Sequence, residues 1–406
     1  MRNGILFLVL SLTVISCGLS EIGKTRPGGT VGSIWGDAPG SSSGGGNSIM
    51  PVCYMTAVDY AKGYDWRTDA AKETVKCSLV VYTDGIPVMK VPVGAAHQVC
   101  SDPDMHRMVG GHLYTDCFSS GETILKKDGT LLFSYPTEER ICDIRIQNGD
   151  VFTLGESRSG AGFSFRKNGE TKVLRENGAL MSPLRESGDS LSFAFCDEIR
   201  NATGSIMRYY TVYGSTVTQV GLRDDIVRVW DAVQNKDGII YLASLVGLTQ
   251  PVIISGEKMT ALNMPAGATM ISCSMLQAGE KTVVEGLYKT SDGVRSSAVW
   301  MNGVCIKIFK GFTISALCAD GDGIFCVLNP SSSSSAGIIY RSGDVYEMPQ
   351  GYACIGSQSM AVVGGIMHVG LSSLNGGRPL LWKDAQIDTI KINGYISSLV
   401  SDYDGL

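Results

Sequence analysis

Short apolar and β-branched runs, separated by Asn-Gly and Asp-Gly dipeptides, recur along most of the chain. The stretch 298–328, AVWMNGVCIKIFKGFTISALCADGDGIFCVL, is read as strand, Asn-Gly turn, strand, short link, strand, Asp-Gly turn and strand. Two β-rich runs around a two-residue turn of this composition indicate a β-hairpin. The pattern therefore predicts an all-β chain built from hairpins.

The first turn of this pattern repeats at a nearly constant spacing. It occurs at Asp84-Gly85, Asp128-Gly129, Asn168-Gly169, Tyr213-Gly214, Ser255-Gly256, Asn302-Gly303, Ser342-Gly343 and Asp384-Ala385. The intervals between the second residues of successive turns are 44, 40, 45, 42, 47, 40 and 42. A period of roughly 40 to 45 residues with four short strands per unit is typical of a β-propeller blade.

A second turn recurs between the first two strands of each unit. Runs such as GIIYLA and GIFCVL follow it and are apolar throughout. Continuous apolar runs are expected in strands that are buried on both faces, as between stacked blades. Both turns therefore agree with the propeller interpretation.

The two ends of the repeat region each carry part of a blade. The chain finishes with YISSLVSDYDGL, an inner strand and its turn, whereas the region after residue 49 begins with PVCYMTAVDY, a second strand without its first. Paired, they complete one blade and close the ring without a bare sheet edge. The sequence predicts an eight-bladed β-propeller over residues 50–406. A seven-bladed ring is the alternative if the divergent unit between Gly188 and Leu222 is not a blade.

Some hairpins also carry a resemblance to a known group. The residues are Trp300-Met301-Asn302-Gly303 and Trp382-Lys383-Asp384-Ala385, with Phe165-Arg166-Lys167-Asn168-Gly169 lacking the tryptophan. The chain resembles lipid-anchored β-propellers of Bacteroidota-type bacteria, whose blades carry a Trp-Lys-Asn-Gly hairpin. The resemblance covers about residues 50–406 and is specific only for the fold. It implies a propeller and transfers no catalytic residue.

The N-terminus has the features of an export signal. Arg2 precedes an apolar run over residues 5–15, and this run is too short to span a bilayer as a helix, which takes about 20 apolar residues. Val14-Ile15-Ser16-Cys17 resembles a bacterial lipobox, with an ordinary signal peptide containing a cysteine as the alternative. Residues 1–16 are then a lipoprotein signal peptide, and Cys17 is lipidated.

The segment 17–49 is expected to be a flexible tether because glycine, serine and proline dominate it. In the lipoproteins that the lipobox resembles, a residue other than Asp after the cysteine goes with the outer membrane, and Gly18 stands there. The expected location is therefore the outer membrane, on its periplasmic or cell-surface side, with only acyl chains contacting the bilayer.

Charge and cysteine content narrow the classes of partner. The formal net charge is -5 and no basic cluster occurs, which argues against a nucleic-acid partner. Twelve cysteines are present, eleven of them besides Cys17. An odd number at no metal-binding spacing indicates small buried residues rather than a disulfide scaffold. Cys318 and Cys326 flank one turn, so a disulfide between them is the alternative.

Motifs for metal binding and catalysis are weak. His97, His106 and His112 lie close together in sequence, but a polar loop is a simpler interpretation than a zinc site, which needs convergent ligands. Asp320-Gly321-Asp322-Gly323 likewise fits a turn better than a calcium loop. Neither a sialidase Asp-box nor a Gly-x-Ser-x-Gly elbow occurs. We expect no metal, no cofactor and no recognisable catalytic residue, although two carboxylates from distant blades could still cleave a glycoside.

Candidate binding residues lie in loops that a propeller gathers on one face, namely the links between blades and the loops between second and third strands. They are Tyr64, Trp66, Arg67, Glu138, Glu139, Arg223, Asp224, Asp225 and Tyr352. Aromatic side chains beside carboxylates and arginines suit sugars or peptides. The sequence thus predicts a non-catalytic binding or scaffold module for a glycan or protein partner. A polysaccharide hydrolase or lyase at the channel mouth and a structural component of an envelope assembly are the alternatives. The oligomeric state stays open.

Overall fold

The fold was taken from a computed structural model. It describes residues 51–67, 76–95, 106–119, 121–136, 138–158, 162–187, 190–201, 204–221, 223–278, 280–320, 323–332, 335–355 and 358–403. The predicted signal peptide, Cys17 and the tether lie outside these residues. The regular elements in the described part are all β-strands. None of its residues belongs to a helix that is long and apolar enough to cross a membrane.

The first half of the chain forms the sheets of blades 1 to 4. Blade 1 contains β1 (Pro51–Tyr60), β2 (Lys76–Thr83) and β3 (Ile86–Ala95). Blade 2 contains β4 (His106–Val109), β5 (His112–Ser119), β6 (Glu122–Lys127) and β7 (Thr130–Tyr135). Blade 3 contains β8 (Glu139–Gln147), β9 (Asp150–Ser157), β10 (Phe163–Lys167) and β11 (Glu170–Arg175). Blade 4 contains β12 (Gly178–Leu180), β13 (Arg185–Ser187), β14 (Ser190–Asn201), β15 (Gly204–Tyr213) and β16 (Thr216–Gln219).

The second half forms blades 5 to 8 and returns to blade 1. Blade 5 contains β17 (Ile226–Asn235), β18 (Gly238–Leu245), β19 (Val252–Ser255) and β20 (Lys258–Ala261). Blade 6 contains β21 (Thr269–Ala278), β22 (Lys281–Lys289), β23 (Arg295–Met301) and β24 (Val304–Lys310). Blade 7 contains β25 (Phe312–Asp320), β26 (Gly323–Pro330), β27 (Ile338–Arg341) and β28 (Asp344–Glu347). Blade 8 contains β29 (Tyr352–Ala353), β30 (Met360–Val363), β31 (Ile366–Ser373), β32 (Leu380–Lys383) and β33 (Gln386–Thr389), and β34 (Gly394–Tyr403) completes blade 1.

The terminal strands close the ring as predicted. β34 pairs antiparallel with β1, from Pro51 opposite Tyr403 to Asp59 opposite Gly394, and forms the inner edge of blade 1. The eight sheets correspond to eight blades, so the eight-bladed prediction is confirmed and the seven-bladed alternative is wrong. The divergent unit is blade 4. Its inner edge consists of two short strands, β12 and β13, which both pair with β14.

The repeated turn between the third and fourth strands has a physical reason. Its first residue adopts a left-handed backbone, with φ near 50° at Asp128, Asn168 and Asn302, a conformation that asparagine and aspartate tolerate better than other non-glycine residues. Their side chains also accept hydrogen bonds from the start of the second strand. The Oδ1 atoms bind the backbone N–H of Leu113 at 2.8 Å, of Val151 at 2.8 Å and of Thr282 at 2.9 Å, respectively. The turn residue therefore ties the outer hairpin to the second strand.

The outer strands are protected against edge-to-edge pairing. In β3, β7, β11 and β24 the third residue after the turn glycine is left out of the pairing register as a β-bulge. The outer strands β16, β20, β28 and β33 are each only four residues long. Bulges and short edge strands both discourage the addition of another strand. The outer edges of these blades are therefore poor sites for strand addition.

The core lies between consecutive blades. In blade 7, Cys318 packs with Met367 and Trp382 of blade 8, whereas Cys326 packs with Val283 of blade 6. The two thiols thus lie on opposite faces of one sheet, and the alternative of a disulfide between them is wrong. None of the nine cysteines among the described side chains forms a disulfide, and six of them are buried. They behave as small core residues.

Candidate functional site

Strand direction decides which loops share a face. Neighbouring strands within each blade are antiparallel, so the links between blades emerge on the same face as the loops between second and third strands. We call this the link face, and the opposite side the turn face. The predicted residues all lie on the link face, in or beside these segments of blades 1, 3, 5 and 8.

Part of the predicted set meets at the seam between blades 8 and 1. Here the chain after β1 is fastened to the link before β34, because Asn393 Nδ2 donates to the carbonyls of Ala61 and Tyr64, each at 3.0 Å. Tyr64 itself is buried, with its ring centroid 5.0 Å from that of Tyr60. The ring of Trp66 lies 4.9 Å from that of Tyr395 in β34. Tyr64 therefore anchors a loop on which Trp66 is the half-buried aromatic group.

Arg67 and Tyr352 extend this seam onto blade 8. Arg67 Nε donates to Asp65 Oδ1 at 2.7 Å, and this hydrogen bond raises the pKa of Arg67. The guanidinium lies against the loop 374–379, since a Cβ atom at Gly376 would be 2.9 Å from its Nη2 atom. Tyr352 Oη donates to the carbonyl of Arg378 in that loop at 3.0 Å, and the Arg378 side chain is exposed. Trp66, Tyr352 and the guanidinium groups of Arg67 and Arg378 thus lie at this seam.

Glu138 and Glu139 lie in blade 3 and differ in their environment. Glu138 is exposed. Glu139 is buried, where Arg166 Nη1 approaches its Oε1 atom at 2.5 Å. The same guanidinium lies 4.1 Å from the ring centroid of Tyr135. Glu139 thus links β8 to β10 inside blade 3, while Glu138 faces solvent.

The remaining predicted residues lie in the link before blade 5. Arg223 donates to both carboxylate oxygens of Asp225 at 3.0 Å each, and these hydrogen bonds lower the pKa of Asp225. Asp224 is exposed between them in sequence. In ring order this link is separated from the seam by several blades, so the structure divides the predicted set into distinct groups.

Two buried ion pairs lie on the inner strands of blades 2 to 5. Arg185 of blade 4 binds Asp231 of blade 5 through two contacts of 2.7 and 3.2 Å, and Asp231 Oδ2 accepts the N–H of Met275 in blade 6 at 2.9 Å. Each of these charged side chains is at most 6% exposed. The pair therefore connects three consecutive blades, which gives Asp231 a structural role.

A second pair repeats this arrangement in the preceding blades. Arg107 of blade 2 forms a buried ion pair with Asp143 of blade 3, and Asp143 Oδ2 accepts the N–H of Leu184 in blade 4 at 2.8 Å. Removing one partner of a buried pair leaves an uncompensated charge, which typically costs about 3 to 5 kcal/mol. These pairs fix the order and spacing of blades 2 to 6.

Glu285 is a buried carboxyl group with a different partner. It lies on β22, is 4% exposed and accepts a hydrogen bond from Ser274 Oγ at 2.9 Å. Its pKa is raised to about 7, chiefly by burial; the Ser274 hydrogen bond lowers the pKa, and the nearby Asp231 charge raises it. Glu285 therefore changes protonation near neutral pH inside the fold.

The metal-site interpretations find no support among the described residues. His112 begins β5 on the turn face, away from the loop before β4, and its Nδ1 atom lies 2.7 Å from Asp128 Oδ2. His97, Gly321 and Asp322 lie outside the described residues. Within the described part, no group of three or more His, Cys, Asp or Glu side chains could hold a metal ion.

Comparison with known proteins gives only distant structural similarities, with TM-scores below 0.5 for the three structures that follow. No protein-family model and no curated protein match the chain. The β-propeller domain of the Trilobed protease from Pyrococcus furiosus has a TM-score of 0.43 at 8% identity, covering 74% of this chain and 99% of that domain. The acylaminoacyl peptidase of Pyrococcus horikoshii has a TM-score of 0.42 at 10% identity, and the match covers 77% of this chain and 54% of that chain. Hsv2 of Kluyvelomyces marxianus has a TM-score of 0.37 at 8% identity, and the match covers 78% of this chain and 95% of that chain. The peptidase names describe those proteins and assign no activity here.

Proposed function

We propose that this chain is a cell-envelope lipoprotein whose propeller binds a glycan or protein partner through the link face, without catalysis. The observation that carries the proposal is the seam between blades 8 and 1, where Asn393 fastens the loop that presents Trp66 and Arg67. A fixed recognition loop loses little conformational entropy when it binds. The seam is therefore a pre-organised surface.

The chemistry of the seam suits sugars and polar peptides. Trp66 offers the partly exposed face of a ring that Tyr395 holds in place, and Arg378 offers an exposed guanidinium. Ring stacking and charge-assisted hydrogen bonds are the usual means of binding such ligands. The buried carboxylates Glu139, Asp143 and Asp231 each pair with an arginine, which favours a structural role for them over acid catalysis.

Binding of the full-length chain in detergent to glycan and peptide arrays tests the seam. Arg378→Ala removes an exposed side chain, so we expect about tenfold weaker binding with an unchanged melting temperature. Trp66→Ala is expected to weaken binding as well, but it also removes packing on Tyr395. Lys236→Ala, which changes an exposed residue of the turn face, is the matched control. Unchanged binding in both seam variants would exclude this site.

The envelope location is proposed from Cys17 and needs its own test. The full chain, expressed in a bacterium with an outer membrane and fed an alkyne-tagged fatty acid, is expected to incorporate the tag and to sediment with outer-membrane fragments. Cys17→Ala should abolish both. A wild-type chain that stays untagged, or a variant that is still tagged, would contradict lipidation at Cys17.

A further inference from the structure

The arginines of the inner strands differ in how they are neutralised. Arg107, Arg145 and Arg185 each lie within ion-pair distance of a buried aspartate, and Arg140 pairs with Glu156 at 2.6 Å. Arg228, on the inner strand β17 of blade 5, is the exception. In the described part of the chain it forms no carboxylate contact and instead lies over the ring of Trp230, with its Cζ atom 3.8 Å from the ring centroid.

This arrangement leaves the guanidinium of Arg228 available. Trp230 is held in place because its Nε1 donates to Ser244 Oγ at 2.8 Å. Stacking on an indole orients an arginine without occupying its five N–H donors. Arg228 is also exposed, so those donors face solvent. An oriented, unneutralised guanidinium is suited to bind a carboxylate in a bidentate manner.

Two bulges explain why these side chains point where they do. β17 pairs with β18 in a register that skips Val227 and then Trp230. A bulge re-aims side chains relative to a regular strand, and such bulges are frequent beside binding sites. The Arg228 cation also opposes the burial-driven rise in the pKa of Cys196 in blade 4 and of Cys273 in blade 6. Arg228 therefore lies between its two neighbouring blades, on the inner side of the ring.

Exposed apolar side chains lie beside Arg228 along β17, in the adjoining loop and at the bulge of the neighbouring inner strand. Val227 precedes it in β17, and Val246, whose N–H donates to the carbonyl of Asp225 at 2.8 Å, lies in the adjoining loop with Leu248. Ile271 is the residue skipped at the bulge of the neighbouring inner strand β21. These four side chains are between 39% and 68% exposed. Exposed apolar side chains beside an oriented guanidinium offer the contacts that a peptide with a carboxylate and an apolar side chain can use.

We propose that Arg228 and this apolar cluster form a docking site for an acidic peptide segment, in which a carboxylate binds Arg228 and a neighbouring apolar side chain packs on Val227 and Val246. Charge complementarity and the apolar rim favour a peptide over a sugar acid, because a uronate has no apolar side chain for the cluster. The nearby Asp225 does not compete for Arg228, since Arg223 binds both of its oxygens. This site lies in blades 5 and 6 and is independent of the seam between blades 8 and 1.

A library of acetylated, amidated hexapeptides with a central Val-Glu or Val-Gln, presented to the full chain in detergent, tests the proposal. Wild-type protein is expected to bind the best Val-Glu members about tenfold more tightly than their Val-Gln counterparts, as one charge-assisted hydrogen bond can provide. Arg228→Gln should abolish this preference, and Arg228→Lys should retain part of it. Arg341→Gln, which changes a partly exposed arginine of blade 7 that pairs with Asp384, should keep it in full.

Two further comparisons make the outcome decisive. Val246→Asp should weaken binding of Val-Glu peptides, and Trp66→Ala and Arg378→Ala should leave it unchanged, so failure here and failure of the seam are distinguishable. Equal binding of Glu and Gln members would overturn the proposal, as would an unaltered preference in Arg228→Gln. Competition by galacturonate oligomers as strong as that by peptides would also overturn it, because the apolar cluster would then play no part.

Discussion

Glu285 should make the stability of the propeller depend on pH. In the folded protein burial raises its pKa from the ordinary 4.5 to about 7, so the folded state binds this proton more tightly than the unfolded chain. Stability from this group is fully present below about pH 4.5 and is lost as pH rises through 7, since the unfolding free energy falls wherever the folded state holds more protons. Glu285→Gln keeps the size and an acceptor for Ser274 but removes the charge.

The size of the effect follows from the pKa. A rise from 4.5 to about 7 corresponds to about 3.4 kcal/mol, because one pKa unit is worth about 1.36 kcal/mol. Glu285→Gln should therefore be more stable than wild type by up to about 3 kcal/mol at pH 8 and nearly equal to it at pH 4.5. For about 350 folded residues, this corresponds to a rise in melting temperature of roughly 4 to 5 °C at pH 8.

The assay is urea unfolding at several pH values, followed by tryptophan fluorescence, which reports on the buried Trp300. Subtracting the unfolding free energy of wild type from that of the variant at each pH removes the contributions of other titrating groups. One of these is buried His368, whose lowered pKa destabilises the fold as pH falls. Glu280→Gln, at an exposed position of the same blade, is the control and should show no such trend. A stability difference that is the same at pH 5 and pH 8, or a wild type that is the more stable at pH 8, would refute the reasoning.

Two further predictions concern the charged pairs and the turns. Arg185→Ala should lower the free energy of unfolding by about 3 to 5 kcal/mol. Arg341→Ala, which breaks the pair with Asp384 near the surface, should change it by at most about 1 kcal/mol. Similar values for the two variants in denaturant titrations would contradict the structural role of the buried Arg185–Asp231 pair. Ala385 has φ near 70°, so Ala385→Gly should stabilise the protein by about 1 kcal/mol. Ala261→Gly, within strand β20, should do the opposite. A loss of stability in Ala385→Gly would show that this turn is not left-handed in solution.

The repeat pattern was sufficient to predict the architecture because the turns are local features. A left-handed residue at Asn168 or Asn302 requires a short side chain whose oxygen can bind the next strand. The split inner edge of blade 4 was not predicted. There Pro183, which has no N–H to donate, stands between β12 and β13.

The candidate sites were predicted only in part, since burial and pairing depend on distant residues. Glu138 and Glu139 are adjacent and chemically alike, yet one is exposed and the other binds Arg166 inside the blade. Arg185 and Asp231 are 46 residues apart. That separation is close to the repeat period, which is the one signal in the sequence that they face each other across neighbouring blades. The bulge at Trp230 has no corresponding signal in the sequence.

A blade built from β1 and β34 closes the ring and holds the seam where Trp66 packs on Tyr395. Amide hydrogen exchange of the full chain, resolved to peptides by mass spectrometry, tests this directly. We predict that β1 and β34 exchange as slowly as β25 and β26 of blade 7, because their amides are paired in one cooperative ring. Exchange of β1 and β34 within seconds, while blade 7 stays protected, would contradict the closure and with it the proposed binding surface.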